Sequence, residues 1–336
     1  MNDARFTLTH LDTADGHRIG VRLWPATTDA IGVLHWMHGM AEHGGRYQSL
    51  ADAVNAAGWH LCVHDHRGHG ESVSGVSPRG HFADHQGWQR VLDDVTQVQD
   101  WLRGQYGALP VVLAGHSMGS FVALAWAEQH HQDHPLAGLV LCGSDYSPTW
   151  FYRVARLPML LERRRCGARG SSTLIHNMTF GAWAKKLKNR HTDFDWLSRD
   201  HDEVRAYIDD PQCGFDCSTQ LWIDLIGGLV RTHGGHALRR LPSSLPVLLV
   251  AGDSDPMSRF SKGVPALHKA LRQAGLSAVT LKEYPGGRTS RHPTALRQAG
   301  LSAVTLKEYP GGRHEILNDY CRAEVQQDLL HWLKHL

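Results

Sequence analysis

The chain has 336 residues, 42% of them hydrophobic and 20% charged, enough for one large core carrying an insertion. A formal net charge of +2 argues against nucleic acid as a partner. The opening MNDARFTLTH has no apolar signal run, and no stretch nears about 18 uninterrupted apolar residues, so a soluble cytoplasmic protein without a membrane span is expected.

In chain order, the first informative element is the apolar strand Ile31 to Trp36, running into Met37-His38-Gly39-Met40. A His-Gly pair after an early strand is where a backbone N–H can be offered to an oxyanion, here that of Met40. A second short strand, His60 to His64, ends in Asp65 and a Gly-rich loop, as a buried parallel strand does. His64, His66 and His69 invite a metal reading, but no further Cys/His cluster with ligand spacing accompanies them. A structural or solvated role is expected, with no metal.

Residues 111–120 read VVLAGHSMGS and lead into FVALAWAEQHH, which is strand, one-residue turn and helix with Ser117 at the apex. A serine there is forced into a strained backbone, costing on the order of 1–3 kcal/mol. Gly115 and Gly119 are needed because side chains at those positions would collide where strand and helix cross. Strain without a packing benefit points to a nucleophile, with the Met118 N–H as second oxyanion donor.

Strands alternate with helices up to Leu136–Gly143 and again from Pro246. The α/β core is therefore expected over 1–143 and 246–336. Residues 144–245 lack that alternation and read as a helical cap over the C-terminal edge of a mostly parallel sheet. Trp150, Phe151, Met159, Leu160, Leu161, Met178, Phe180, Trp183, Trp222 and Ile226 are its main apolar residues, about a third of them expected to line a substrate tunnel. Charge in the cap is segregated: 153–190 has ten Lys/Arg against Glu162, whereas 193–216 has eight acids against Arg199 and Arg205. The plain reading is two solvated faces that attract each other. The sharper one is a transient contact of 153–190 with an anionic membrane surface. Reduced thiols are expected for the six cysteines, and Cys213 and Cys217, four apart, suggest one helical face as readily as a ligand pair.

HGMAEHGGRY, DHRGHGES, GHSMGS, GDSDPMS and GGRHEILND, in that order, resemble the monoglyceride lipase and lysophospholipase branch of the serine α/β-hydrolases, from about Arg5 to the C-terminus. The resemblance implies an α/β-hydrolase fold and a Ser-Asp-His triad in that chain order. It places the acid immediately before a proline, at Asp255, and leaves Asp253 to the turn. His314, after the terminal strand Ala303 to Tyr309, becomes the base. The expected activity is hydrolysis of a single-chain lipid ester, a monoacylglycerol or lysophospholipid, through an acyl-enzyme and with no cofactor. A thioesterase, a peptidase or a carbon–carbon bond hydrolase on the same fold stays open, as does a non-catalytic binding protein.

Between acid and base the chain repeats itself. Ala270–Arg288 and Ala295–Arg313 are identical over nineteen residues, an offset of 25 within 270–313. Fifty-nine positions separate Asp255 from His314, and removing one copy leaves 34, the length of one helix plus one strand. The second copy, Ala303–Glu308, is expected to be the sheet strand because it leads directly to His314. The surplus, roughly Leu276–Pro293, should be a weakly packed surface excursion with Val279, Leu281 and Tyr284 partly exposed. His292, followed by Pro293 and lacking the glutamate context, is rejected as the base.

Overall fold

A computed structural model of the protein describes residues 5–234, 236–276, 279–282 and 304–336, the 279–282 segment by its backbone. Among the described residues nine strands form one sheet in the order β1-β2-β4-β3-β5-β6-β7-β9-β8. β1 (Thr7–Asp12) and β2 (Arg18–Trp24) are antiparallel; β3 (Gly32–Met37), β4 (Trp59–His64), β5 (Val111–His116), β6 (Gly138–Cys142), β7 (Val247–Gly252), β8 (Val279–Lys282) and β9 (Val304–Tyr309) run parallel. The central strands β3 to β7 are buried at every position, as continuous apolar runs covered on both faces should be.

The two-residue alternation divides these strands between two apolar cores. Val33, Leu113, Leu139 and Leu249 join helices α2 (Gly87–Tyr106) and α3 (Met118–His130). Leu34, Val112, Val140 and Leu248 pack with α1 (Gln48–Ala56) and α10 (Arg322–Leu333) on the other side. α3 is buried from Met118 through Glu128, which is why its sequence is apolar all round rather than on one stripe.

Between β6 and β7 the chain makes α4 (Thr149–Cys166), α5 (Thr173–Met178), α6 (Phe180–Lys185), α7 (His201–Asp209) and α8 (Thr219–Thr232). Ser172 and Ser218 cap α5 and α8 by accepting the N–H groups of Ile175 and Leu221. α4 packs along α8 and leaves Trp150, Leu157 and Leu161 exposed. Cys213 and Cys217 share no helical face. They lie in the loop between α7 and α8, where Pro211 and Gly214, at φ 68°, break the helix. All six cysteines are free thiols.

The repeat resolves differently from expectation. β9, from the second copy, lies beside β7 and leads to His314. The first copy does not leave the sheet at Val279–Lys282: it adds β8 outside β9, pairing Val279 with Val304 through Lys282 with Lys307. The physical reason is that the same β-forming Val-Thr-Leu segment meets an open edge offered by its twin. α9 (Gly263–Gln273) precedes it. Exposure at Val279 and Leu281, and the expectation for Tyr284 and His292, lie outside the described residues.

Candidate active site

Ser117 stands between β5 and α3 at φ 52° and ψ −118°, a region that side chains avoid. A Cβ on Gly115 would collide with the Gly119 carbonyl, and one on Gly119 with the carbonyls of Met37 and His38. Both glycines are therefore fixed by crossing geometry. The turn is held by the Ser117 N–H donating to the Cys142 carbonyl at 2.9 Å, and by the Ser120 hydroxyl donating to the Ser117 carbonyl at 2.6 Å.

Asp255 follows β7 and is fully buried. One carboxylate oxygen accepts the His314 Nδ1–H at 2.9 Å and the other accepts the Met257 N–H at 2.8 Å. The His314 ring is thereby fixed with Nε2 free for the substrate side, the tautomer a general base needs. Asp253 accepts the Gly311 N–H at 2.7 Å and so tethers the loop that carries His314, a turn role. Among the described residues the Ser117 hydroxyl makes no hydrogen bond. Ser117 and His314 do line one cavity, and such a bond commonly tightens only when substrate is bound.

That cavity has a volume of about 510 Å3, within the range of small-molecule sites. Met40 and Met118 lie on its wall beside Ser117, and neither of their N–H groups is used by another hydrogen bond among the described residues. The cap supplies most of the apolar lining. Of the ten residues singled out in its sequence, all but Trp150, Leu160 and Leu161 line the cavity, more than the third expected. Trp196, not singled out, packs its ring 5.0 Å from that of His314, and its carbonyl accepts the His314 N–H at 3.3 Å.

Three carboxylates line the cavity, Glu42, Asp145 and Glu315, and all are paired. Arg46 bonds Glu315 through both terminal nitrogens at 2.7 Å and Glu42 at 2.9 Å. Arg259 bonds Asp145 at 2.9 Å. Burial alone would raise the Glu42 carboxyl, but His116 and Arg46 hold it well below the usual range. None of the acids of 193–216 reaches the cavity wall.

His64, His66 and His69 are buried, not solvated. The one group among the described residues with metal-ligand types in proximity is His43, Asp210 and Cys213, within 4.8 Å. His43 already bonds Asp210 at 2.8 Å and accepts the Gly45 N–H, so it needs no ion to be satisfied.

Residues 28–292 match a family model described as serine aminopeptidase, S33; the match ends between the two repeat copies. The chain is 30% identical over 284 residues to a monoglyceride lipase of Homo sapiens, covering 83% of this chain and 82% of that one. It is 27% identical to a monoacylglycerol lipase of Mycolicibacterium smegmatis over 81% and 85% of the two chains. Among solved structures, a thermostable carboxyl esterase from Bacillus coagulans, in complex with glycerol, superposes with a TM-score of 0.82 at 24% identity, covering 98% of each chain. The fold is the α/β-hydrolase fold expected from the sequence.

Proposed function

The chain belongs to the serine aminopeptidase (S33) family, and we propose that within it the protein hydrolyses carboxylic esters of lipids with a single acyl chain, a monoacylglycerol or a lysophospholipid. The observation that carries this reading is the Asp255–His314 hydrogen bond on the wall of an apolar cavity that also holds a strained Ser117. His314 Nε2 takes the Ser117 hydroxyl proton as Oγ attacks the ester carbonyl. The carbonyl oxygen, now negative, is received by the N–H groups of Met40 and Met118. Collapse expels the alcohol, which leaves with the proton from His314, and an acyl-enzyme remains. Water, deprotonated by His314, attacks that ester and frees the fatty acid and Ser117.

Paired carboxylates favour an ester over a peptide N-terminus. An aminopeptidase needs an acid free to hold a substrate ammonium, whereas Glu42, Asp145 and Glu315 are each committed to an arginine. Competition between a monoacylglycerol and an aminoacyl amide tests this reading, with faster ester turnover expected. Faster amide turnover would replace it with a peptidase. Faster turnover of an acyl thioester would make the protein a thioesterase.

The outer face of α4 is the proposed contact with an anionic lipid surface. Trp150, Val154, Leu157 and Leu161 are 58–64% exposed. Arg153 and Arg164 are exposed and make no salt bridge among the described residues, whereas Arg156 and Arg163 turn toward α8, where Asp224 lies. Among the described residues no helix is long and apolar enough to cross a membrane, and the contact proposed is one at the surface. Co-sedimentation with phosphatidylglycerol vesicles, and its loss on Trp150→Asp/Leu161→Asp, is expected. Equal binding to phosphatidylcholine vesicles would sink the electrostatic part.

A further inference from the structure

His116, the residue before Ser117, is buried with a polar partner on each ring nitrogen. Nδ1 lies 3.2 Å from Glu42 Oε1, and Nε2 lies 3.1 Å from the main-chain carbonyl oxygen of His314. Both partners are acceptors unless Glu42 is protonated. Four donors converge on that carboxyl: the Gly39 N–H, the Tyr47 hydroxyl at 3.0 Å, the Arg46 guanidinium at 2.9 Å and His116 itself. A guanidinium and two neutral donors hold Glu42 as a carboxylate, so the proton shared with His116 belongs to the ring. With both ring nitrogens donating, His116 would be an imidazolium.

These contacts close on themselves. Glu42 joins His116, His116 joins the His314 carbonyl, Glu315 is the next residue, and Arg46 returns from Glu315 to Glu42. The circuit also holds Gly39, beside the Met40 oxyanion donor, through its N–H on Glu42. Three segments far apart in the sequence, the loop after β3, the nucleophile turn and the base loop, are thus tied at one imidazole.

Resting on the hydrolase reading above, we propose that His116, held doubly protonated by Glu42, is a positioning residue that sets the His314 loop and the oxyanion loop against Ser117. Its ring forms part of the cavity wall, but both nitrogens are committed to Glu42 and the His314 carbonyl rather than to the reacting atoms. Its ring centre lies 4.7 Å from that of His314, so a charge on His116 opposes a second charge on the base. The other charged or titratable groups around the pair are Glu42, Arg46 and Tyr47 from the loop after β3, Cys142 on β6, Asp255 after β7, Tyr207 of α7, and Glu315. Burial works against an imidazolium, yet Glu42, and behind it Glu315, raise His116 above the usual histidine value.

Two measurements test this. Histidine side-chain nitrogen NMR of the intact wild-type protein at pH 8, assigned by the signals missing from His116→Gln, should show both His116 nitrogens protonated. A neutral His116 ring would overturn the proposal, whatever the enzyme's activity. In folded His116→Gln, kcat for a monoacylglycerol should fall about 10²-fold with little change in KM, the cost of a small misplacement. The acid limb of kcat/KM should also move to higher pH, because a positive charge near His314 has gone. Unchanged kcat and an unmoved limb would reduce His116 to packing. Fluorophosphonate labelling of Ser117 separates this from the hydrolase reading: labelled wild type with a neutral His116 refutes only the positioning role.

Discussion

Two sets of buried histidines in this molecule carry opposite electrostatics. His35, His38, His64, His66 and His69 form one set, with ring centres 4.6 Å apart for His38–His66 and 5.0 Å for His35–His64. Burial, with little carboxylate compensation, depresses His35 and His38 to about 3 and His69 to about 4, so these rings stay neutral. His116 and His314 are as deeply buried, but each faces a carboxylate, Glu42 or Asp255. Burial by itself favours the neutral ring, and one aimed carboxylate can instead favour a cation or orient a ring for base work.

The largest effect expected is at the catalytic set. His314→Ala should lower kcat about 10⁶-fold and Asp255→Asn about 10⁴-fold, with the fold retained by circular dichroism. Comparable losses from His38→Ala would erase the distinction between the sets.

The neutral set predicts acid lability. For each of these histidines the folded value lies below the unfolded 6.5, so its stability is fully present above pH 6.5 and lost as pH falls toward 4 and then 3. Each such group can remove about 1.4 kcal/mol per pH unit. Glu128, kept protonated by burial with its value near 9, pulls the other way by one proton. Against a typical stability of about 5–15 kcal/mol, unfolding should be steep and centred near pH 5. Circular dichroism against pH checks it, and a fold intact at pH 4 would contradict it. A smaller shift tests the mechanism: both His66 ring nitrogens are buried without a partner among the described residues, so His66→Leu should move the midpoint to lower pH.

The repeat offers the smallest expected change in activity. Deleting Ala270–Thr294 or Thr289–Arg313 gives the same chain and keeps one strand leading to the base. It should retain the wild-type kcat/KM while losing the outer strand β8. Inactivity of that deletion, if it folds, would show that the pairing of Val279–Lys282 on β9 supports the base loop.

Much of the candidate site's geometry was legible in the sequence because strain and crossing geometry leave local marks. Ser117 needs glycines two positions away on either side, and those are read directly from GHSMG. The Glu42–His116–Glu315–Arg46 circuit was not legible, since its partners lie 74, 198 and 269 residues apart and each sits inside a motif with a nearer explanation. Cys213 and Cys217 misled through spacing alone, where Pro211 and Gly214 were the stronger signal. The place of the first repeat copy was not legible, because sequence alone does not show that an identical strand accepts its own twin as a neighbour in the sheet.

Ser117 is the proposed nucleophile of an acyl-enzyme. Peptide mapping of the protein after reaction with a fluorophosphonate, alongside Ser117→Ala, tests it most directly. A single adduct on the peptide containing Ser117, with monoacylglycerol hydrolysis abolished in Ser117→Ala, is the result expected. An adduct on a different serine, or full turnover by Ser117→Ala, would rule Ser117 out as the nucleophile.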